Sequence, residues 1–228
     1  RRVLFRSGTD ARVKAAAPSC GGVSYRDQGK SLIDACVSDP ANLAHITCPI
    51  CFLSPANDFN GKIDDLQTGL KEIKSKDWRV TCGPHHNHQD TAEYEVATQL
   101  WFDQQLKGTF KWPATPKTVL ELKTKTGVPA LTVKPDTSRK ILYVDVFYTQ
   151  QGPMPGEKED RENTMARFWH YAATKKQGGS WTADLPVFTS DRPLWVYANV
   201  VYPLDTPVTR SEEHTSELQS PYVISYAV

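Results

Sequence analysis

The stretch "CPICFLSPANDFNGKIDDL" (residues 48–66) decides the fold of this chain. Its first part, residues 49–53, is an apolar run typical of a buried strand, and Pro and Asn-Asp then end it. The segment 62–73 follows, with apolar residues spaced three and four apart, which predicts an amphipathic helix. A buried strand followed directly by such a helix is typical of a parallel α/β sheet.

The same alternation is found on both sides of this stretch. "RVKAAAP" (12–18) and "WRVTCG" (78–83) predict short strands, and residues 90–108 predict a helix. That helix has an Asp-x-x-Glu capping box beginning at Asp90 and a C-terminal glycine, Gly108. Strands and helices in this order predict parallel strands joined by right-handed crossovers. We therefore expect residues 8–108 to be part of an open α/β sheet.

Residues 109–209 have a different pattern. Their β-branched and aromatic runs alternate in hydrophobicity and are separated by Gly, Pro and Asp. We expect this part to be a second domain, a small antiparallel β-sandwich, with residues 150–164 as an exposed loop. The predicted strands are "VLELKT" (119–124), "ALTVKP" (130–135), "KILYVDVFYT" (140–149), "ADLPVFT" (183–189) and "LWVYANVVY" (194–202).

Both ends of the chain resemble translated sequencing adapter. "RRVLFRS" (1–7) is the in-frame translation of one adapter end, and "RSEEHTSELQS" (210–220) and "ISYAV" (224–228) are translations of the other. Two in-frame matches at opposite ends are hard to ascribe to chance. We therefore expect residues 1–7 and 210–228 to be non-biological, and residues 8–209 to be an internal fragment of a longer protein.

The composition excludes several classes of function. With 39% hydrophobic and 23% charged residues, the chain has the composition of a soluble globular protein. It has 27 basic and 26 acidic residues, of which the terminal segments contain four and three. Residues 8–209 therefore have 23 of each and are neutral. Neutrality predicts no nucleic-acid partner. No apolar run approaches the ~20 residues of a membrane helix, so we expect no membrane partner.

The five cysteines do not indicate a metal site. Cys48 and Cys51 form a CxxC, but it lies in a hydrophobic run, and a structural zinc site needs four ligands. We therefore expect no metal and no cofactor. A Cys20–Cys36 disulfide remains an open alternative in an exported protein.

Reactive side chains follow two successive predicted strands. Asn57 and Asp58 come directly after the strand at 49–53, and His85, His86 and His88 come after the strand at 78–83. Because the carboxyl ends of parallel strands meet at one edge of a sheet, an Asp and a His placed this way come close together. This pair is the acid–histidine half of a Ser-His-Asp triad, in the chain order of α/β-hydrolases.

Each of these residues also has a simpler interpretation. Asp58 can end a strand or cap the next helix, with Asp64 and Asp65 as fallback acids. The group His85, His86, His88 and Asp90 can bind zinc, although its spacing matches no zinc motif.

The segments "CPICFLSPANDFNGKIDDL", "PHHNHQD" and "LWFDQQLKGTF" resemble α/β-hydrolases of the dienelactone-hydrolase-like and acetyl-xylan-esterase-like branch. The resemblance covers the C-terminal half of that fold and implies an esterase in which Asp58 is the triad acid and His88 the catalytic base. It further implies an ester of a small molecule or a carbohydrate as substrate. It favours an exported protein. Asn57, His85 and His86 are candidate pocket residues, with a surface loop as the stronger interpretation for at least one of the two histidines.

The chain departs from the family at the nucleophile. It contains no G-x-S-x-G motif, so we expect the catalytic Ser upstream of this chain and expect the 228 residues alone to be inactive. Cys20 in "PSCGG" is the alternative nucleophile, but Pro18 stands where the strained turn needs Gly.

A function from a different class is a carbohydrate-binding or interaction module attached to a non-catalytic hydrolase-like domain. It requires exposed aromatic residues on one face of the β-rich part. The candidates are Trp169, Trp181, Trp195 and Tyr197, for which a place in the core is the stronger interpretation.

Overall fold

The structure is a computed structural model that describes residues 2–20, 39–154, 161–204 and 222–227. It is a mixed helix and strand structure with both parallel and antiparallel sheets. The elements up to residue 107 are α1 (Arg2–Thr9), α2 (Asp39–Leu43), β1 (Ile50–Leu53), α3 (Ile63–Glu72), β2 (Trp78–Thr81), α4 (Ala92–Phe102) and a π-helical turn (Asp103–Lys107).

The remaining described elements are mostly strands. They are β3 (Lys117–Glu121), β4 (Ala130–Lys134), β5 (Tyr143–Thr149), α5 (Arg161–Ala166), β6 (His170–Ala172), β7 (Thr174–Gln177), β8 (Ser180–Asp184), β9 (Trp195–Tyr202) and β10 (Tyr222–Ala227). Helix α5 begins inside the stretch predicted as a loop, of which residues 155–160 lie outside the described residues.

β1 and β2 pair in parallel, as predicted, with Ile50 opposite Trp78. On the other side of β1, Ala16 and Ser19 form isolated parallel bridges to Ile50 and Leu53. The strand predicted over residues 12–18 is thus reduced to these two bridges. Three chain segments nevertheless run side by side in one direction, and their carboxyl ends lie at the same edge.

The helices that follow these strands have local causes. Helix α3 buries Ile63 and Leu66 and has two acidic residues in its first turn, where the helix dipole favours negative charge. Helix α4 starts at an N-cap other than the predicted Asp90, since the Thr91 hydroxyl accepts a hydrogen bond from the Tyr94 amide at 3.3 Å. The predicted stop is confirmed, because Gly108 has a left-handed φ of 68°.

The part from β3 onwards forms two four-stranded antiparallel sheets, with strand orders β3-β4-β8-β7 and β10-β9-β5-β6. Their inward-facing residues, such as Leu131 and Val146, belong to one hydrophobic cluster that also includes Leu53 and Trp101 of the α/β part. The core therefore crosses the boundary predicted at residues 108–109, and the division into two domains stays a prediction.

The two terminal segments interpreted as adapter sequence contribute ordered elements. Leu4 of α1 is fully buried in a cluster with Leu43 and Ile46. Strand β10 pairs with β9 along Tyr222–Ala227. The origin of both segments stays a prediction, because packing contains no information about where a sequence came from.

Candidate active site

The loops after β1 and β2 remain hydrogen-bonded to each other beyond the ends of the strands. The Ala56 amide donates to the Gly83 carbonyl at 2.9 Å, and the Asn57 amide donates to the His86 carbonyl at 3.0 Å. These bonds extend the parallel ladder into the loops. They place Asp58, the next residue on one loop, beside His88 on the other.

Asp58 and His88 form a direct hydrogen-bonded pair. The His88 Nδ1 atom lies 3.0 Å from Oδ1 and 3.1 Å from Oδ2 of the Asp58 carboxylate. Asp58 is completely buried, whereas the His88 side chain is 42% exposed. The Asp58 carboxylate is thus shielded from solvent, whereas part of the His88 side chain is accessible to it.

The Asp58 carboxylate is fixed by its own loop as well as by His88. Its Oδ1 accepts hydrogen bonds from the amides of Asn60 at 2.7 Å and Gly61 at 2.9 Å. These two amide donors satisfy hydrogen-bonding capacity of a carboxylate that has no contact with solvent. The Phe59 ring lies 5.7 Å from the His88 ring and covers one side of the pair.

The Cys20 thiol is the third reactive group at this edge. The Cys20 amide donates to the Leu53 carbonyl at 2.9 Å, which holds this residue at the end of the first parallel segment. Its Sγ, a carboxylate oxygen of Asp58 and a ring nitrogen of His88 all lie within 4.8 Å of one another. Its φ of +49° is uncommon for a residue other than glycine.

Cys20 is surrounded by groups that disfavour its thiolate. Burial is the main cause that raises the pKa of the Cys20 thiol to about 11; the negative charges of Asp58 and Asp90 contribute in the same direction, and a hydrogen bond from Ser19 opposes them. The thiol is therefore protonated at neutral pH. Cys20 is a free thiol, and its predicted alternative partner, Cys36, lies outside the described residues.

The other predicted site residues connect this edge to the antiparallel part. The Asn57 side chain is buried and donates to the carbonyls of Met165 at 3.2 Å and Arg167 at 2.5 Å. The His85 Nε2 atom lies 2.8 Å from the carbonyl oxygen and 3.0 Å from the amide of Trp169. Their proposed proximity to a substrate pocket stays a prediction, as does that of His86.

Asp64 and Asp65 are the fallback acids, and the structure shows Asp64 in a contact other than with His88. Asp64 forms a bidentate ion pair with Arg167, at 2.6 and 3.0 Å, and the two side chains are only 8% and 1% exposed. Asp65 lies in the first turn of α3. In the alternative zinc group, Asp90 accepts a hydrogen bond from the Ser19 hydroxyl. Among the described residues, the metal-ligating side chains whose donor atoms come together are Cys20, Asp58 and His88, so His88 is the one member of the predicted zinc group among them.

The aromatic residues proposed as a sugar platform are mostly core. Trp169, Trp181 and Tyr197 are buried, and Trp195 is half-buried. Trp195 and Trp169 line a cavity of about 290 Å³ between α3 and β9, whose lining contains neither Asp58 nor His88. No helix within the described ranges is long and apolar enough to span a membrane.

Comparisons with known proteins add little to this geometry. No protein-family model matches the chain, and no curated protein matches it. Among solved structures, the PEG-bound complex of a novel cold-adapted esterase from an Arctic intertidal metagenomic library is 19% identical, with a TM-score of 0.34. That match covers 45% of this chain and 41% of the esterase, so the chain spans about two fifths of that structure's length. Neither the fold family nor the activity of this chain follows from a similarity of that size.

Proposed function

We propose that this chain is part of a serine hydrolase that cleaves carboxylic esters of small molecules or carbohydrates. The observation that supports the proposal is the buried Asp58 carboxylate bonded to Nδ1 of the accessible His88. The resemblance of the sequence to the C-terminal half of α/β-hydrolases supports the same assignment. The whole protein's activity and substrate remain part of the proposal.

The chemistry follows from which ring nitrogen the carboxylate contacts. An ionised Asp58 only accepts hydrogen bonds, so His88 carries its proton on Nδ1 and keeps Nε2 free as a base. Nε2 would remove the proton from a Ser hydroxyl as that oxygen attacks the ester carbonyl, and would return it to the departing alkoxide. Asp58 would stabilise the imidazolium formed between these two steps.

The nucleophile in this proposal is a Ser that precedes the first parallel segment. The triad order of α/β-hydrolases places the nucleophile before the acid and the histidine, and no G-x-S-x-G motif occurs in the chain. The 228 residues alone would then not cleave an ester.

The testing experiment is expression of a longer version from the upstream coding sequence. We expect a G-x-S-x-G motif there, labelling of its Ser by a fluorophosphonate, and hydrolysis of p-nitrophenyl acetate. Asp58→Asn should lower kcat by about 10⁴-fold, because it changes the tautomer of His88. Asp65→Asn is the matched control and should stay within a few-fold. An upstream sequence without a nucleophile motif would contradict the proposal.

Cys20 is a second candidate nucleophile, favoured by its positive φ at the end of a parallel segment and by its distance from the pair. Its raised pKa and Pro18 weigh against it. The upstream Ser and Cys20 predict opposite results for the 228-residue chain. If the nucleophile is the upstream Ser, the chain should not hydrolyse p-nitrophenyl acetate. Turnover that is blocked by alkylation of Cys20 would establish Cys20 as the nucleophile.

A further inference from the structure

Three different kinds of metal donor meet at the edge of the parallel sheet. They are the Cys20 thiol, the Asp58 carboxylate and the His88 imidazole, with donor atoms within 4.8 Å of one another. Each comes from the end of a different parallel segment, so the sheet itself brings them together. Unlike an ordinary surface cluster, this one includes a carboxylate with no solvent exposure.

We propose that Cys20, Asp58 and His88 bind one zinc-class divalent cation, with water in the fourth position. Thiolate, imidazole and carboxylate are the donors that Zn²⁺ takes in proteins, and three protein ligands plus water are typical of an open site. The proposal does not depend on the hydrolase assignment, because it uses only the donor atoms and their positions.

The movement required to bind the cation is small. Zinc bonds of about 2.0–2.3 Å to these donors correspond to donor–donor distances of roughly 3.4–3.6 Å in a tetrahedron. The donor atoms now lie up to 4.8 Å apart, so the longest donor–donor distance would have to shorten by about 1 Å. The Asp58 carboxylate is held by the Asn60 and Gly61 amides, whereas the His88 side chain is 42% exposed.

The local charge favours a cation at this position. Two carboxylates lie close to the Cys20 thiol: Asp58 has an oxygen within 4.8 Å of its Sγ, and Asp90 accepts a hydrogen bond from the neighbouring Ser19 hydroxyl. A divalent cation is attracted by these carboxylates, and its charge stabilises the thiolate as a ligand. On binding, the Cys20 S–H bond breaks, an S–metal bond forms, and the proton passes to the buffer.

Metal binding and general-base chemistry at His88 exclude each other. If the cation binds Nε2, that nitrogen cannot accept a proton. If it binds Nδ1, the hydrogen bond to Asp58 is lost. The cation would therefore act as an inhibitor of the proposed hydrolase, not as its cofactor.

The test is a titration of the 228-residue chain with Co²⁺, a spectroscopic substitute for Zn²⁺ that needs no enzymatic turnover. We expect one Co²⁺ per chain, a thiolate-to-cobalt charge-transfer band, and release of about one proton from the thiol. Excess Zn²⁺ should remove the band. Because loss of a residue that only supports a metal ligand costs 10–100-fold in affinity, loss of a ligand should cost at least about tenfold.

Two variants and their matched controls assign the ligands. Cys20→Ser should abolish the charge-transfer band, whereas Cys48→Ser should keep it. His88→Gln, at a side chain that is 42% exposed, should weaken binding at least about tenfold, whereas His86→Gln should not. Absence of the band in the unsubstituted chain at millimolar Co²⁺, or its persistence in Cys20→Ser, would overturn the proposal. These outcomes leave the hydrolase proposal standing, because that depends on the upstream Ser.

Discussion

The two kinds of sheet in this molecule place their polar side chains in different environments. At the carboxyl edge of the parallel sheet, Asp58, His88 and Cys20 lie together, and part of the group is open to solvent. In the antiparallel part, large polar-tipped side chains such as Trp169 and Tyr197 are buried in the core. The parallel edge therefore carries the candidate chemistry, whereas the polar-tipped aromatic residues of the antiparallel part contribute to packing.

The two regions are joined by polar contacts around residues 165–169. Asn57 and His85 bond to backbone groups there, and Asp64 pairs with Arg167. The Asn199 side chain adds a bond to the Cys82 carbonyl at 3.0 Å. Residues adjacent to Asp58 and His88 therefore hold the antiparallel part in place, while Asp58 and His88 bond to each other.

The largest expected effect concerns the ion pair between the regions. Arg167→Ala leaves the buried Asp64 carboxylate without its partner, so we expect a loss of about 3–5 kcal/mol in the free energy of unfolding. Urea denaturation measures this loss. The matched control is Arg12→Ala, which removes a solvent-exposed pair with Asp10 and should cost much less stability than Arg167→Ala. Equal effects of the two variants would mean that the regions are not joined as described.

Trp169→Ala tests the structural role of the buried aromatic residues. Trp169 is 2% exposed and packs edge-on against Tyr197, with 4.9 Å between ring centroids. Removing it should cost about 3–5 kcal/mol in urea denaturation, because it leaves a cavity. Phe188→Ala, at a side chain that is 77% exposed, should cost about 0.5 kcal/mol or less. A Trp169→Ala chain of unchanged stability would favour a binding platform instead.

The Cys20 thiol should react slowly with iodoacetamide. Its pKa of about 11 lies two units above the ordinary value of 9.0, so the reactive thiolate is about 100-fold scarcer at neutral pH. The alkylation rate, followed by mass spectrometry, should rise about tenfold per pH unit from pH 7 to 10. A rate that levels off near pH 7 would indicate a thiolate activated by His88 and would favour Cys20 as the nucleophile.

The smallest expected effect concerns the N-cap of α4. Thr91→Ala removes the hydroxyl that accepts from the Tyr94 amide and should cost about 1 kcal/mol in thermal or urea unfolding. Asp90→Ala should leave helix capping unchanged, because that side chain bonds Ser19 instead. A larger loss of stability in Asp90→Ala than in Thr91→Ala would instead support Asp90 as the N-cap, as expected from the sequence.

The sequence predicted the positions of side chains that depend only on the pairing of two neighbouring strands. Asp58 and His88 each follow an apolar strand, and a single helix separates the two strands, so their meeting follows from parallel pairing alone. The bounds of α3 and the stop at Gly108 were also predictable, because spacing and glycine conformation are local properties.

Features that depend on distant contacts were not predictable in this way. The N-cap expected at Asp90 failed because Ser19, 71 positions away, bonds that carboxylate. Strands β6 and β7 were not predicted. Strand β6 has only three residues, and β7 (Thr174–Gln177) is polar and largely exposed. The proximity of Cys20 to the pair depends on the register of a segment that forms only two bridges.

The central claim is that Asp58 fixes the tautomer of His88, and nitrogen NMR of ¹⁵N-histidine-labelled protein tests it most directly. At a pH where the ring is neutral, we predict a His88 signal with the proton on Nδ1 and a bare Nε2, assigned by its loss in His88→Gln. Asp58→Asn should abolish this preference. A proton on Nε2 in the unsubstituted chain, or a tautomer that Asp58→Asn leaves unchanged, would contradict the account.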